Sequence, residues 1–215
     1  MSSFYFSKKK NKMGEENEDN DVVKIFVNQK KNLIYFNAPI EIEYTLELIE
    51  HLHEMEQNEL ERVNELVFEM KKKTGIEFKG IDYIRPIVLE MNSNGGLIHE
   101  AFAVVDTIKN LKVPVHTICK GYTASAATLI TLAGTRRFIT RNSYFLIHEI
   151  SDEIAGNYTF MKHNFENSRT LMDHIIDYYV NHSNLNHEKV REYIKTEICW
   201  NAEQTLEYGF VDEIV

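Results

Sequence analysis

The sequence is poor in cysteine and proline and has no long apolar run. Two cysteines in 215 residues cannot form a disulfide framework, so a disulfide-rich secreted protein is excluded and a reducing, cytoplasmic setting is predicted. No stretch reaches the roughly 18 consecutive apolar residues that a membrane-spanning helix needs. The first thirty residues contain no apolar run of signal-peptide length. The sequence therefore predicts neither a membrane protein nor a secreted one.

Positive charge and cofactor motifs are also scarce. Lys and Arg number 24 against 33 Asp and Glu, which gives a formal net charge of −9. A nucleic-acid partner is therefore not predicted, because neutralising phosphates requires a basic surface. Neither the phosphate-binding loop of ATPases nor the glycine fingerprint of dinucleotide-binding proteins is present. His51 and His53 would point to different faces of a helix, so we predict no metal and no cofactor.

The chain is expected to hold a disordered charged tail at residues 1–21 and a single domain at residues 22–215. Hydrophobic residues make up 43% of the chain, which is enough for a sizeable core. Two short strands are predicted first, at 22–27 and 32–36. A long amphipathic helix follows, from Glu43 to about Lys73, and is expected to break near Asn58, where polar residues cluster.

Strands and helices alternate regularly from Pro86 onward, which predicts an α/β fold with right-handed crossovers. Asn201, with Gln204 three residues later, forms a capping box and marks the start of one more helix. Cys119 and Cys199 have apolar neighbours and are predicted to be buried rather than nucleophilic. The predicted strands cover 86–92, 113–120, 136–140, 144–148 and 210–215, and the predicted helices cover 97–110, 123–134, 157–182 and 186–196.

Three segments carry residues suited to catalysis. The turn at residues 91–96 ends in paired glycines, whose backbone N–H groups could form an oxyanion hole. Ser125 follows a strand and lies in the first turn of a helix, where free N–H groups favour developing negative charge. His148 ends an apolar strand and could serve as a general base. Each segment alone also fits a structural role, namely a tight turn, close helix packing or a core histidine.

Together, and in this order, the segments resemble the proteolytic subunit of the Clp protease, ClpP. The resemblance is dense from Pro86 to the end and thin from Val22 to Lys73. It implies an α/β, ClpP/crotonase-type fold of repeated β-β-α units with a protruding handle helix, here residues 157–182. The family's turn N-S-P-G-G, its block T-I-C-x-G-x-A-A-S-x-G-A, its segment x-I-H-Q-P and its close E-Y-G-L-V-D match residues 92–96, 117–128, 147–150 and 207–212.

The resemblance also implies catalytic roles. Ser125 corresponds to the nucleophile and His148 to the general base, and the backbone N–H groups of Gly96 and Ala126 correspond to the oxyanion hole. The implied activity is that of a serine endopeptidase that cleaves peptides and unfolded proteins through an acyl-enzyme. The implied assembly is a chamber of stacked homo-oligomeric rings, seven subunits each, with an AAA+ unfoldase of the ClpX or ClpA kind as partner.

The third catalytic residue of the family is an aspartate, and ungapped counting places Glu197 at its position. A glutamate is one methylene longer but can still orient the imidazole and stabilise its cation. Asp177 and Glu192 are weaker candidates for this acid.

Several departures indicate a divergent member of the family. Asn94 replaces the proline of the glycine turn, and Asp152 and Glu153 replace a pair of glycines in the strand that pairs with substrate in the family. These two carboxylates could narrow substrate choice or disturb pairing between rings. An insertion is predicted at residues 58–82. Two alternatives therefore stay open: a catalytically weakened ring subunit, and a crotonase-type acyl-CoA enzyme with the same fold.

Overall fold

A seven-stranded sheet organises residues 24–215, the part of the chain that the computed structural model describes. The predicted tail at 1–21 lies outside the described residues. The strands are β1 Ile25–Asn28, β2 Leu33–Phe36, β3 Ile87–Ser93, β4 Val115–Ala124, β5 Arg136–Ile139, β6 Tyr144–Leu146 and β7 Glu213–Ile214. The α-helices are α1 Ile42–Thr74, α2 Ile98–Asn110, α3 Ala126–Leu132, α4 Tyr158–Asn181, α5 His187–Tyr193 and α6 Ala202–Glu207.

The sheet is parallel except at one edge, which confirms the predicted α/β fold. Its order is β1-β2-β3-β4-β5-β7, and β1 pairs with β2 in the antiparallel sense. The long strand β4 changes its partner along its length: its first half pairs with β5, and its last three residues pair with β6. This change brings the end of β4 and the chain after β6 side by side, and both carry predicted catalytic residues.

Helix α1 runs without interruption, so the predicted break near Asn58 is wrong. Asn58 faces solvent, where its polarity does not interrupt the helix. The opposite face carries one continuous buried stripe at helical spacing. The stripe consists of Thr45, Leu48, Leu52, Met55, Glu59 and Val63. The insertion at 58–82 stays a prediction.

Glu59 is the charged member of this stripe and is only 1% exposed. Arg62 Nη2 donates to its carboxylate at 2.6 Å, and Arg85 Nη2 donates to it at 2.7 Å. The Nε atoms of both arginines also donate to it, and the backbone N–H of Arg85 adds a further hydrogen bond at 2.6 Å. Arg62 also donates to the carbonyl of Tyr83. This network ties the second half of α1 to the loop that precedes β3.

Replacing Glu59 with glutamine is expected to destabilise the fold by about 2–3 kcal/mol at pH 7. A fully buried pair would cost more, but both arginines reach solvent. Burial alone would raise the pKa of the Glu59 carboxyl, yet the hydrogen bonds from Arg62 and Arg85 outweigh it and lower the pKa from 4.5 to about 2. The unfolded chain therefore binds the proton first, and the stabilisation is full above about pH 4.5 and lost towards pH 2.

Urea unfolding of the wild type, Glu59→Gln and the exposed control Glu61→Gln tests this expectation. The difference between the wild type and Glu59→Gln should shrink as the pH falls from 4.5. A difference that is absent at pH 7, or that grows on acidification, would contradict it.

Four local predictions need correction. Ser125 lies just before α3 rather than in its first turn, because β4 continues to Ala124. His148 lies two residues beyond the end of β6 rather than at its end. The last strand is only Glu213–Ile214, because the N–H of Phe210 bonds back to α6 and keeps that segment in a turn. Cys119 is buried as predicted, but Cys199 is exposed.

No helix within residues 24–215 is both long and apolar enough to cross a bilayer.

Candidate active site

Ser125 occupies a strained junction between β4 and α3. Its backbone has φ 55° and ψ −131°, a region that residues other than glycine rarely adopt. The conformation is held from both sides: the Ser125 N–H donates to the carbonyl of Leu146 at 2.9 Å, and the Ser125 carbonyl accepts from the N–H and the hydroxyl of Thr128. The Ser125 side chain makes no capping hydrogen bond with α3. Such strain persists only where neighbouring structure enforces it, and it is typical of functional sites.

The glycine turn after β3 packs directly against Ser125. A Cβ atom added to Gly95 would lie 2.6 Å from the Cβ of Ser125 and 3.0 Å from the nitrogen of Ala126. A Cβ atom added to Gly96 would lie 2.3 Å from the carbonyl oxygen of Ile40. Both glycines also have positive φ, 91° and 151°. No other residue fits at either position, and the contact brings the backbone of the turn beside the serine.

Within residues 24–215, two backbone N–H groups that border the Ser125 cleft donate no hydrogen bond, those of Gly96 and Ala126. Ile40 pairs with the turn through its own N–H to the carbonyl of Gly95 at 2.9 Å, and through its carbonyl to the N–H of Leu97 at 2.7 Å. The N–H of Gly96 takes no part in this pairing. Ala126 is the first residue of α3, so its N–H has no acceptor within the helix. Backbone donors of this kind can stabilise an oxyanion where both point at the same oxygen.

His148 is half-buried and lines the same cleft as Ser125. In the structure of residues 24–215, Ser125 Oγ and the His148 ring do not form a hydrogen bond. Catalytic hydrogen bonds of this kind commonly tighten only when substrate binds. The cleft encloses about 390 Å³, and its lining comprises Gly96, Leu97, Ile98, His99, Glu100, Ser125, His148, Ile150, Ser151, Asp152, Ser168 and Leu171.

The segment around His148 runs antiparallel to the segment before α6. Phe145 and Trp200 exchange two backbone hydrogen bonds of 2.9 and 2.8 Å, and the N–H of Glu149 donates to the carbonyl of Ile194 at 3.0 Å. Between these pairings lie three residues on the first segment and five on the second. Residues 195–199 must therefore bulge out of the pairing.

Glu197 lies in this bulge, with φ 49°, and its side chain is exposed. Ungapped counting from the Phe145–Trp200 bridge would put it opposite His148, but the bulge takes residues 195–199 out of that register. No hydrogen bond or ion pair joins the two side chains within the described chain. The structure thus brings Glu197 into the segment that pairs with the chain around His148, but its carboxylate does not hydrogen-bond to the imidazole.

The bulge also explains why the prediction for Cys199 is wrong. It carries Cys199 out of the core, where the Sγ atom lies 3.8 Å from the phenol oxygen of Tyr122. Burial, the Cys199 thiol and the charge of Glu197 together raise the pKa of Tyr122 to about 12.

The two weaker candidates for the acid have other partners. Asp177 bonds to the Nε2 atom of His187 at 2.9 Å, and Glu192 accepts from the Nζ atom of Lys189 at 2.8 Å. Neither carboxylate lines the cleft that holds Ser125 and His148.

Sequence reasoning missed Glu100, a half-buried carboxylate in the cleft. Its Oε2 atom accepts from the hydroxyl of Thr45 at 2.9 Å. The available signal was its place in the first turn of α2, directly after the glycine turn.

Comparison with known proteins identifies one family. Residues 77–215 match the model of the Clp protease family. The chain is 29% identical over 131 residues to the ATP-dependent Clp protease proteolytic subunit of Deinococcus radiodurans, covering 60% of this chain and 64% of that protein. It is 29% identical over 135 residues to the ATP-dependent Clp protease proteolytic subunit 1 of Protochlamydia amoebophila, covering 61% of this chain and 66% of that protein.

The chain therefore spans just under two thirds of the length of these curated relatives. The family match covers well over half of the chain and includes the glycine turn, Ser125, His148 and the bulge. The chain belongs to the Clp protease family.

Proposed function

We propose that this protein is a serine endopeptidase that cleaves peptides and unfolded proteins by acyl transfer. The observation that carries the proposal is the strained Ser125 junction, which shares one cleft with His148. Ser125 Oγ attacks the peptide carbonyl while His148 takes its proton and then delivers that proton to the leaving amine. Water, activated by the same imidazole, attacks the acyl-enzyme and releases the second product. No metal or organic cofactor takes part.

The tetrahedral intermediate is stabilised by the two backbone donors beside Ser125. The N–H groups of Gly96 and Ala126 receive the negative oxygen that forms on the attacked carbonyl. The close packing of Gly95 on Ser125 fixes these donors before substrate arrives, so no reorganisation is needed during the reaction. One such donor typically contributes about a hundred- to a thousand-fold in rate.

Glu197 is the proposed orienting acid. Its place in the segment that pairs with the chain on both sides of His148 supports this role. The role requires the carboxylate to turn from solvent towards the ring, where it accepts from the imidazole N–H and stabilises the imidazolium. The bulge at residues 195–199 is the segment that makes this rotation.

A second candidate function rests on the same exposed carboxylate. Because Glu197 does not contact His148 in the described chain, the protein is alternatively a catalytically weakened subunit that contributes structure to a ring. In that case Ser125 would have ordinary serine reactivity.

Reaction with a fluorophosphonate separates the two candidates. An active peptidase should take up one adduct per chain on Ser125, and the adduct should be lost in Ser125→Ala and in His148→Ala. Absence of any adduct on the wild-type chain, under conditions that label a known serine peptidase, would favour the structural subunit.

The proposed assembly is a pair of stacked heptameric rings, in which α4 is the handle helix. The second half of α4 packs into the core of its own subunit through Ile175, Ile176 and Tyr179. The first half leaves Phe160 and Phe165 at 51% and 65% exposure. Apolar side chains left in water in this way commonly mark a contact with another subunit.

Replacing both Phe160 and Phe165 with serine should shift the assembly towards smaller species. Sedimentation velocity at micromolar concentration measures the change, with Tyr144→Ser, an exposed aromatic outside α4, as the control. A wild-type protein that is monomeric and fully active would contradict the ring proposal.

The proposed partner is an AAA+ unfoldase of the ClpX or ClpA kind. The sequence holds no nucleotide-binding loop. Active sites enclosed in a ring chamber would admit short peptides and exclude folded proteins. The unfoldase would therefore supply the ATP-driven unfolding, and the peptidase would supply the cleavage.

A further inference from the structure

The cleft that holds Ser125 and His148 is acidic. Its lining includes the carboxylates of Glu100 and Asp152 and, within residues 24–215, no lysine or arginine. Glu100 comes from α2, and Asp152 comes from the segment that follows His148. The two carboxylates therefore reach the cleft from different elements, and the residues proposed to do the chemistry lie in the same cleft.

Glu100 is half-buried but has no cationic partner within the described chain. Its carboxylate accepts one hydrogen bond, from the hydroxyl of the fully buried Thr45 at 2.9 Å. A carboxylate has about four acceptor positions, and burying one without a cation is costly. Glu100 thus keeps the capacity to receive a positively charged group from a ligand.

Asp152 lines this cleft and also an adjoining one of about 700 Å³. The arginines of the adjoining cleft already have acidic partners: Arg191 pairs with Asp173 at 2.8 Å, and Arg169 with Glu166 at 3.9 Å. In the described chain, Asp152 itself forms no ion pair. Both arginines are therefore paired with other acids, and the exposed carboxylate of Asp152 is left for a ligand.

The rest of the cleft wall is largely apolar. Leu97, which is 50% exposed, lies beside Ile98, Ile150 and Leu171. Apolar walls with acidic groups suit a side chain that has an aliphatic stem and a cationic end, because such side chains bury the stem and keep the charge paired. Lysine and arginine have this chemistry.

We propose that Glu100 and Asp152 make the cleft selective for peptides with lysine or arginine at the residue that supplies the attacked carbonyl. This inference rests on the proposed peptidase function. That residue of the substrate lies nearest to Ser125, so its side chain is the one that enters the cleft. Acidic groups in a peptidase pocket select basic side chains by the same pairing.

Two fluorogenic peptides that differ only at this residue test the proposal. One carries lysine and the other carries norleucine, which keeps the aliphatic stem and lacks the charge. We expect kcat/KM to be roughly ten- to a hundred-fold higher for the lysine peptide, as for a hydrogen bond between charged groups. The preference should weaken at high salt, since exposed charges are screened.

The matched variants are the double substitution Glu100→Gln with Asp152→Asn, and the control Glu203→Gln. The glutamine at position 100 can still accept from the Thr45 hydroxyl. Glu203 is an exposed acid on α6 that pairs with Arg141 and lines neither cleft. The double variant should bring the ratio of the two peptides close to one, and Glu203→Gln should keep the wild-type ratio.

The outcomes separate this inference from the proposed function. Equal cleavage of the two peptides by the wild type, faster cleavage of the norleucine peptide, or an unchanged ratio in the double variant would overturn the inference and leave the peptidase intact. A wild-type protein that cleaves neither peptide and takes no fluorophosphonate would overturn both.

Discussion

Ser125→Ala is expected to lower peptide hydrolysis by roughly three to six orders of magnitude. The reason is that the reaction has no other nucleophile to form the acyl-enzyme, and the residual rate comes from binding and the oxyanion donors alone. Initial rates on a short fluorogenic peptide, measured at equal protein concentration, give the ratio directly.

The variant should fold as the wild type does. Alanine and serine both carry a Cβ atom, so the positive φ at position 125 is equally strained for each, and the serine side chain makes no capping hydrogen bond that would be lost. Thermal unfolding checks this point. Ser183→Ala, which removes a serine outside the cleft, should keep wild-type activity. A Ser125→Ala protein that is folded and retains more than a tenth of the activity would contradict the assignment.

Glu197→Gln is expected to lower peptide hydrolysis by roughly two to four orders of magnitude. A neutral amide cannot stabilise the imidazolium, and it can hold His148 in the wrong tautomer. The loss should be smaller than that of Ser125→Ala, because the acid acts through the base and does not react itself.

Two carboxylate variants serve as controls for this prediction. Asp177→Asn and Glu192→Gln remove acids that pair with His187 and Lys189, so their activity should stay near that of the wild type. An active Glu197→Gln enzyme together with an inactive Asp177→Asn enzyme would move the role of the acid to Asp177.

Local patterns predicted most of the fold. Alternating apolar strands and amphipathic helices identified the parallel sheet from Pro86 onward, since β3, the first half of β4 and α2 each bury apolar residues at regular strand or helix spacing. The same reasoning failed at α1, because it read the polar cluster near Asn58 as a break. The helix continues there because Glu59, a charged residue, occupies the buried stripe and is paired by Arg62 and Arg85. Sequence periodicity cannot reveal the pairing with Arg85, because Arg85 lies 26 residues after Glu59 and outside the helix.

The candidate site divides in the same way. The glycine turn, Ser125 and His148 were proposed from the sequence because the resemblance to the family covers all three segments together, although each alone also fits a structural role. The exposure of Glu197 could not, because it arises from the unequal spacing between the two pairings that join the segments around Phe145 and Trp200. The acidic lining contributed by Glu100 depends on how α2 meets the cleft, which only the folded chain determines.

A peptidyl chloromethyl ketone tests the central claim, that Ser125 and His148 act together in one cleft. Such a reagent forms a hemiketal with a nucleophilic serine and alkylates the neighbouring histidine base, so it reports both residues at once. The measurement is best made in a Cys199→Ser background, because Cys199 is an exposed thiol. Peptide mapping by mass spectrometry should find one adduct per chain, on His148, and its formation should be strongly slowed by Ser125→Ala. An adduct on another residue, or alkylation of His148 at the same rate without Ser125, would contradict the account.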